Sequence, residues 1–252
     1  MPKNVIVLSP GQSGSSVLTA LIARAGLWCG DETTDVGYNT YENAELVQLN
    51  RELLRVSGIK WDSPSQEAGP AIERLRARVR EADNRDAQSF VQKCAAHVPW
   101  IWKDPRLCYT MHYWEAFLNV ADCQFVIMNR DWRQAWSGHM IKGKPPVSLA
   151  DFAKVQVRAG EAAQSYVSDR GLPHFVTTFE ELTVEPTRVL SALNEFLGTS
   201  LTLGDLRETY RDPLGKLRWS KVDYAQAWGR FLVHRWILRD VDPAKLRDDG
   251  SG

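Results

Sequence analysis

The stretch Ser9-Pro10-Gly11-Gln12-Ser13-Gly14-Ser15-Ser16 holds the groups from which proteins build an anion cradle. Glycine lets the backbone turn tightly so that consecutive N–H groups face one point. The serines at its end add hydroxyl donors, and a helix starting at Ser15 directs its positive end at the same place. Such a loop suits a phosphate or sulfate ester. It is not a Walker A motif, which requires Gly-Lys-Ser/Thr where this chain has Gly14-Ser15-Ser16, so ordinary kinases and NTPases are disfavoured. No HExxH or comparable spacing marks a metal centre, and none is expected. Cys29, Cys94, Cys108 and Cys123 are widely spaced, with no CxxC pair. That spacing suggests neither a zinc ribbon nor a dense disulfide framework, and it fits a reducing compartment.

The elements that position this loop are readable from periodicity. Asn4–Leu8 is short, apolar and β-branched, as a strand buried on both faces is, and it ends in a Pro-Gly turn. Val17, Leu18, Leu21, Ile22 and Ala25 then fall on one helical stripe, with Gly26 as its stop. Further strands are expected at Trp100-Ile101-Trp102, at 124–128 and at His174–Thr178, each followed by a helix-like segment. Strands alternating with helices predict an α/β fold with a central parallel sheet whose ligands gather at the carboxyl ends of the strands. Ala71, Ile72, Leu75, Val79 and Ala82 predict a helix after Pro70, its arginines being a solvated face. Ser148 with Asp151 resembles a capping box, and Pro186 and Gly198 bracket another helix. One domain over 1–252 is expected, with a frayed tail at 247–252.

The chain has 252 residues, with 31 Lys plus Arg against 31 Asp plus Glu. That balance argues against a nucleic-acid partner, which calls for a basic excess. The N-terminus lacks the pattern of a secretory signal, and no run reaches the roughly 18 apolar residues of a membrane span, so a soluble, cytoplasmic protein is expected. Ten tryptophans serve either packing or an aromatic-lined pocket.

Together these pieces resemble the sulfotransferases that use 3′-phosphoadenosine 5′-phosphosulfate (PAPS), in particular the bacterial branch related to tyrosylprotein and carbohydrate sulfotransferases. Four features in order carry the resemblance: the Gln12-Ser13-Gly14-Ser15-Ser16 loop, Trp102-Lys103-Asp104-Pro105-Arg106, Arg130 with Ser137, and Phe179-Glu180-Glu181-Leu182 through Pro186 to Phe196-Leu197-Gly198. They span residues 4–198. The resemblance implies a three-layer P-loop-like α/β fold, PAPS as donor, adenosine 3′,5′-bisphosphate as product, and a hydroxyl on a small-molecule, carbohydrate or phenolic acceptor.

It also implies roles residue by residue. Gly11, Gln12, Ser13, Gly14, Ser15 and Ser16 wrap the 5′ phosphosulfate, while Arg130 and Ser137 bind the 3′ phosphate, with Lys216 and Arg218 as late contacts to the same group. Gln12 stands where many members carry a lysine or arginine. The spacing from Arg130 to Ser137 is one residue shorter than the common one, which leaves Gly138 as the alternative to Ser137. Lys103 is the cation aimed at the transferring group, and Arg106 is either architectural or catalytic. Cys29-Gly30-Asp31-Glu32-Thr33 is similar to the segment that carries the base of tyrosylprotein sulfotransferases, which gives that role to Glu32. Glu42 competes, since bacterial relatives have a similar glutamate at the start of the next helix. His97 and His112 are expected to be structural.

Two alternatives stand beside a PAPS-dependent enzyme: a catalytically inactive nucleotide-binding or interaction module, motivated by Gln12, and a P-loop-type phosphotransferase. Trp28, Tyr38, Tyr41, Trp61, Tyr113 and Trp114 are candidates for an acceptor platform. The oligomeric state is open.

Overall fold

The architecture follows from one short strand. In a computed structural model that describes residues 3–81, 83–210 and 220–236, β1 (Asn4–Leu8) is an inner strand of a parallel sheet. It pairs with β4 (Ile101–Lys103) on one flank and β5 (Cys123–Asn129) on the other, and β6 (His174–Thr178) pairs with β5 beyond it. The order β4-β1-β5-β6 reverses direction at β1, because the chain first crosses to one side and then to the other. A crevice therefore opens at the carboxyl end of β1, where such sheets bind ligands.

The alternating side chains of these strands build two cores. Ile6 and Leu8, with Trp102, Phe125 and Ile127, pack toward α2 (Ala44–Val56), α3 (Ala68–Glu81), α4 (Arg85–Ala95), α5 (Leu107–Trp114) and α7 (Leu149–Ser168). Val5 and Val7, with Ile101, Val126 and Met128, pack toward α1 (Ser15–Ala23), α8 (Phe179–Val184) and α9 (Pro186–Leu197), against which α10 (Leu203–Thr209) also lies. Each large side chain so buried contributes roughly 1.5–3 kcal/mol, and the result is the expected three-layer α/β arrangement. A third cluster joins α6 (Trp132–Ile141) to α11 (Lys221–Trp236) through Trp136, Met140, Ala227 and Phe231.

The punctuation read from sequence is present. Ser148 Oγ accepts from Asp151 N at 3.0 Å, Pro186 is the first residue of α9, and Gly198 ends it at φ 68°. One expectation shifts by a residue: β4 begins at Ile101, and Trp100 instead stacks on Trp102 with ring centroids 4.7 Å apart. Trp102 in turn meets Trp114 at 5.3 Å, so these three tryptophans are core.

An antiparallel hairpin of β2 (Thr33–Asp35) and β3 (Asn39–Asn43) was not expected, and α4, α10 and α11 were not either. Its turn is held by Asp35 Oδ1, which accepts from Gly37 N at 2.7 Å, with Gly37 at φ 90°. Lys216, Arg218 and the tail 247–252 lie outside the described residues. No helix among the described residues is long and apolar enough to cross a membrane.

Candidate functional site

A cleft of about 470 Å³ lies over the carboxyl ends of β1 and β4. Its walls are the loop after β1, the β2–β3 hairpin, the end of β4, and the segments that open α6 and α8. Lys103, Arg106, Arg130, Lys142 and Lys144 line it, against Glu42 as the single carboxylate among the described residues of the lining. A chain of zero net charge has thus gathered positive charge at one place.

The loop turns through Gln12 at φ 66° and Gly14 at φ 83°. A Cβ on Gly14 would stand 2.3 Å from the Phe179 ring, so both conformation and space require glycine there. Gly14 is also the N-cap of α1, with no side-chain cap and no acidic residue in the first turn, so the helix's own first turn does not offset its positive end. Gly11, Gln12, Gly14, Ser15 and Ser16 line the cleft. Ser13 does not, and its hydroxyl is buried with no hydrogen-bond partner among the described residues. Gln156 Nε2 fastens the loop from α7 by donating to Gly11 O at 2.9 Å.

Lys103 ends β4 and pairs in register with Val7, which puts it beside the start of the loop. It is 4% exposed, and its Nζ donates to Glu42 Oε1 at 2.5 Å and to Ser16 Oγ at 3.3 Å. The hairpin delivers Glu42, which Asn43 follows as the N-cap of α2. Glu32, by contrast, is exposed and outside the cleft lining. The two carboxylates that sequence left in competition are thereby placed differently.

Asp104 is fully buried beneath this pair. Its Oδ1 accepts from Arg106 N at 3.0 Å and from Arg106 Nη1 at 2.8 Å, and its Oδ2 accepts from Asn50 Nδ2 at 2.9 Å. Burial pushes the Asp104 carboxyl up from its ordinary range, and the Arg106 guanidinium opposes that rise. Arg106 lies 5.3 Å from the centroid of the Trp61 ring, and both residues face the cleft.

Arg130 follows β5 and is 10% exposed. Its guanidinium lies 4.5 Å from the Phe179 ring centroid, so Phe179 separates it from Gly14. Nε and Nη2 are buried with no hydrogen-bond partner among the described residues, and the nearest carboxylate, Glu180, is 3.8 Å from Nε. Burial lowers the pKa of Arg130, which means that the folded protein bears a cost for keeping it charged. Two unpaired donors on a cation at a cleft wall suit an anion. Ser137 lies elsewhere: it is fully buried, its Oγ donates to Arg133 O at 2.9 Å, and Gly138 lines the cleft in its place.

Of the six aromatics considered for an acceptor platform, Tyr38, Tyr41 and Trp61 line the cleft. Trp28 stacks on His97 at 4.5 Å, and Tyr113 and Trp114 belong to the core. His112 is buried between Arg76 and Arg170. Sequence reasoning missed Lys142, Lys144, Thr209 and Tyr210 in the lining, and it gave Phe179 a place in the resemblance but no part in the cleft. The Lys-Gly-Lys-Pro-Pro run after α6, basic residues beside a turn, was an available signal for the first two. Among the described residues no cluster of three or more His, Cys, Asp and Glu would hold a metal ion.

No family model and no curated protein matches the chain. Among solved structures it is similar to the sulfotransferase domain from the curacin biosynthetic pathway, at 15% identity and a TM-score of 0.51, over 89% of this chain and 82% of that one. A second, the sulfotransferase domain from the Synechococcus PCC 7002 olefin synthase, is 18% identical with a TM-score of 0.46, over 92% of this chain and 94% of that one. The first comparison identifies the fold as that of a sulfotransferase domain.

Proposed function

We propose that the chain is a sulfotransferase that moves a sulfuryl group from PAPS to a hydroxyl acceptor. The observation that carries this reading is the pair of anion-receptive places on one cleft. At one, the uncapped start of α1 adjoins buried Lys103; at the other, Arg130 lines the cleft with two buried donors that have no hydrogen-bond partner among the described residues. A donor with phosphate groups at two separate positions calls for two such places. The fold supports the same class.

The loop amides of Gly11 to Ser16 would hold the phosphosulfate, and Arg130 would fork onto the 3′ phosphate while Phe179 packs against its face. Glu42, not Glu32, is the base in this scheme, because it lies in the cleft against Lys103. Its carboxylate accepts the proton of the acceptor hydroxyl as the acceptor oxygen bonds to sulfur. The bond from sulfur to the bridging oxygen breaks, and its electron pair stays on the departing phosphate, which Lys103, Ser16 and the positive end of α1 stabilise. Proton, sulfuryl group and charge are all accounted for without a metal.

Turnover of sulfur-35 PAPS with a panel of phenols, sugars and alcohols tests the reading. Labelled product together with free adenosine 3′,5′-bisphosphate supports it, and their absence from folded protein with every acceptor counts against it. A binding-only module is the second reading, favoured by Gln12, which lines the donor loop but brings no positive charge. Bisphosphate binding without turnover is its signature.

A further inference from the structure

Asn50 is a fully buried amide on α2, away from the cleft lining, and it connects the core to the cleft wall. The indole N–H of Trp114 donates to Asn50 Oδ1 at 2.8 Å. An indole can only donate, so the amide has one orientation, with its NH2 turned to Asp104 Oδ2 at 2.9 Å. The other oxygen of Asp104 is taken by the backbone N–H and guanidinium of Arg106. Every group reaching Asp104 therefore donates, as a carboxylate requires. Arg106 ends the relay on the Trp61 ring, in the wall next to Lys103.

We propose that Asn50 is a positioning residue: by donating to Asp104 under the constraint of Trp114, it fixes Arg106 against Trp61 in the cleft. The role as it bears on catalysis rests on the sulfotransferase reading above. The charged and titratable groups that act on Asp104 are Arg106, Glu42 from the hairpin and Cys108 from α5. Glu42 repels a second negative charge there, and the Asp104 position has one guanidinium to meet it. A neutral donor at position 50 is what this arrangement accepts, and a carboxylate is not.

The test is Asn50→Asp, whose behaviour depends on one proton. While the carboxyl at position 50 is protonated, it donates to Asp104 as the amide does. When that proton leaves, two carboxylates face each other and Arg106 can no longer serve both. Bisphosphate affinity and kcat/KM of Asn50→Asp should lie within about threefold of wild type at the acid end and fall at least tenfold below it as pH rises. Thermal melts at each pH confirm that the fold persists. The Trp61 indole resonance, assigned with Trp61→Phe, should move with pH in Asn50→Asp and stay fixed in wild type; this readout needs no ligand. Profiles parallel to wild type, or a loss equal at every pH, overturn the proposal.

Trp114→Phe covers the case in which Asn50→Asp fails to fold: it removes the orienting donor while leaving an aromatic ring in the core, and a thermal melt accounts for the packing lost with the indole. It should lower kcat/KM several-fold and shift the Trp61 resonance, and an unchanged Trp61 resonance overturns the relay. Failure of wild type to bind the bisphosphate would sink the sulfotransferase reading, while the Trp61 resonance still decides the role of Asn50.

Discussion

Lys103 Nζ lies 2.5 Å from Glu42 Oε1, and the two side chains are 4% and 15% exposed. Among the described residues, the cleft therefore keeps its most buried cation and its one carboxylate in direct contact, with Ser16 Oγ 3.3 Å from the same Nζ. Placed together, a base and a leaving-group cation are ready for a transfer in which one takes a proton as the other receives negative charge.

Glu42→Gln should separate chemistry from binding. Glutamine still gives Lys103 an oxygen to donate to but cannot take a proton, so turnover should fall by about 10²- to 10⁴-fold. Bisphosphate affinity should change by no more than about threefold, because the general-base role concerns the acceptor proton. Steady-state kinetics with parallel calorimetry reads both, and Glu32→Gln serves as the exposed control.

Arg130→Met should trade function for stability. Each charged hydrogen bond lost to the 3′ phosphate costs roughly 1.5–3 kcal/mol, so bisphosphate affinity should drop by at least tenfold. The ligand-free protein should melt no lower than wild type, since the substitution removes a buried cation with two unpaired donors. A large fall in the melting temperature would instead assign Arg130 to the scaffold.

Gly14→Ala tests the loop. At φ 83° an L side chain costs about 1–2 kcal/mol, and the added methyl would meet Phe179 at 2.3 Å. Phe179 must then shift, carrying the face on which Arg130 rests. Melting temperature and bisphosphate affinity should fall together, and an intact affinity would show that the loop and Phe179 act independently.

His112 should give the protein an acid-sensitive component of stability. Burial foremost, then the charge of Arg170, lowers its pKa from 6.5 to about 4. The folded state thus binds this proton less readily than the unfolded chain. The stabilisation is complete above pH 6.5 and is lost as pH falls toward about 4, by up to about 3 kcal/mol. Denaturant melts of His112→Gln should lose less stability over that interval than wild type does.

The sequence revealed what is repetitive and apolar. Val5, Ile6, Val7 and Leu8 announce a strand buried on both faces, and Pro186 and Gly198 mark the ends of α9, because these choices are local. The hairpin was hidden because its residues, Thr33–Asp35 and Asn39–Asn43, are polar and mostly exposed or half-buried, without the alternation of a half-buried strand. With the hairpin unseen, Glu32 and Glu42 were hard to tell apart, since only its antiparallel return brings Glu42 to Lys103. Ser137 was a candidate by type, with Gly138 as the alternative by spacing; its position on α6 lets the hydroxyl bond back to Arg133, and Gly138 lines the cleft. The tryptophans divide in the same way: Trp100, Trp102 and Trp114 stack in the core, while Trp61, like Tyr38 among the proposed platform residues, lines the cleft and has a cation of the lining over its ring, Arg106 over Trp61 and Lys142 over Tyr38.

Calorimetric titration of adenosine 3′,5′-bisphosphate into the purified chain, with Arg130→Met alongside, tests the donor site most directly. The expected result is one saturable site in the wild type, a melting temperature that rises with ligand, and at least a tenfold loss of affinity in the variant. No heat and no thermal shift from folded wild-type protein, or equal binding by Arg130→Met, would contradict the assignment of this cleft to a sulfuryl donor.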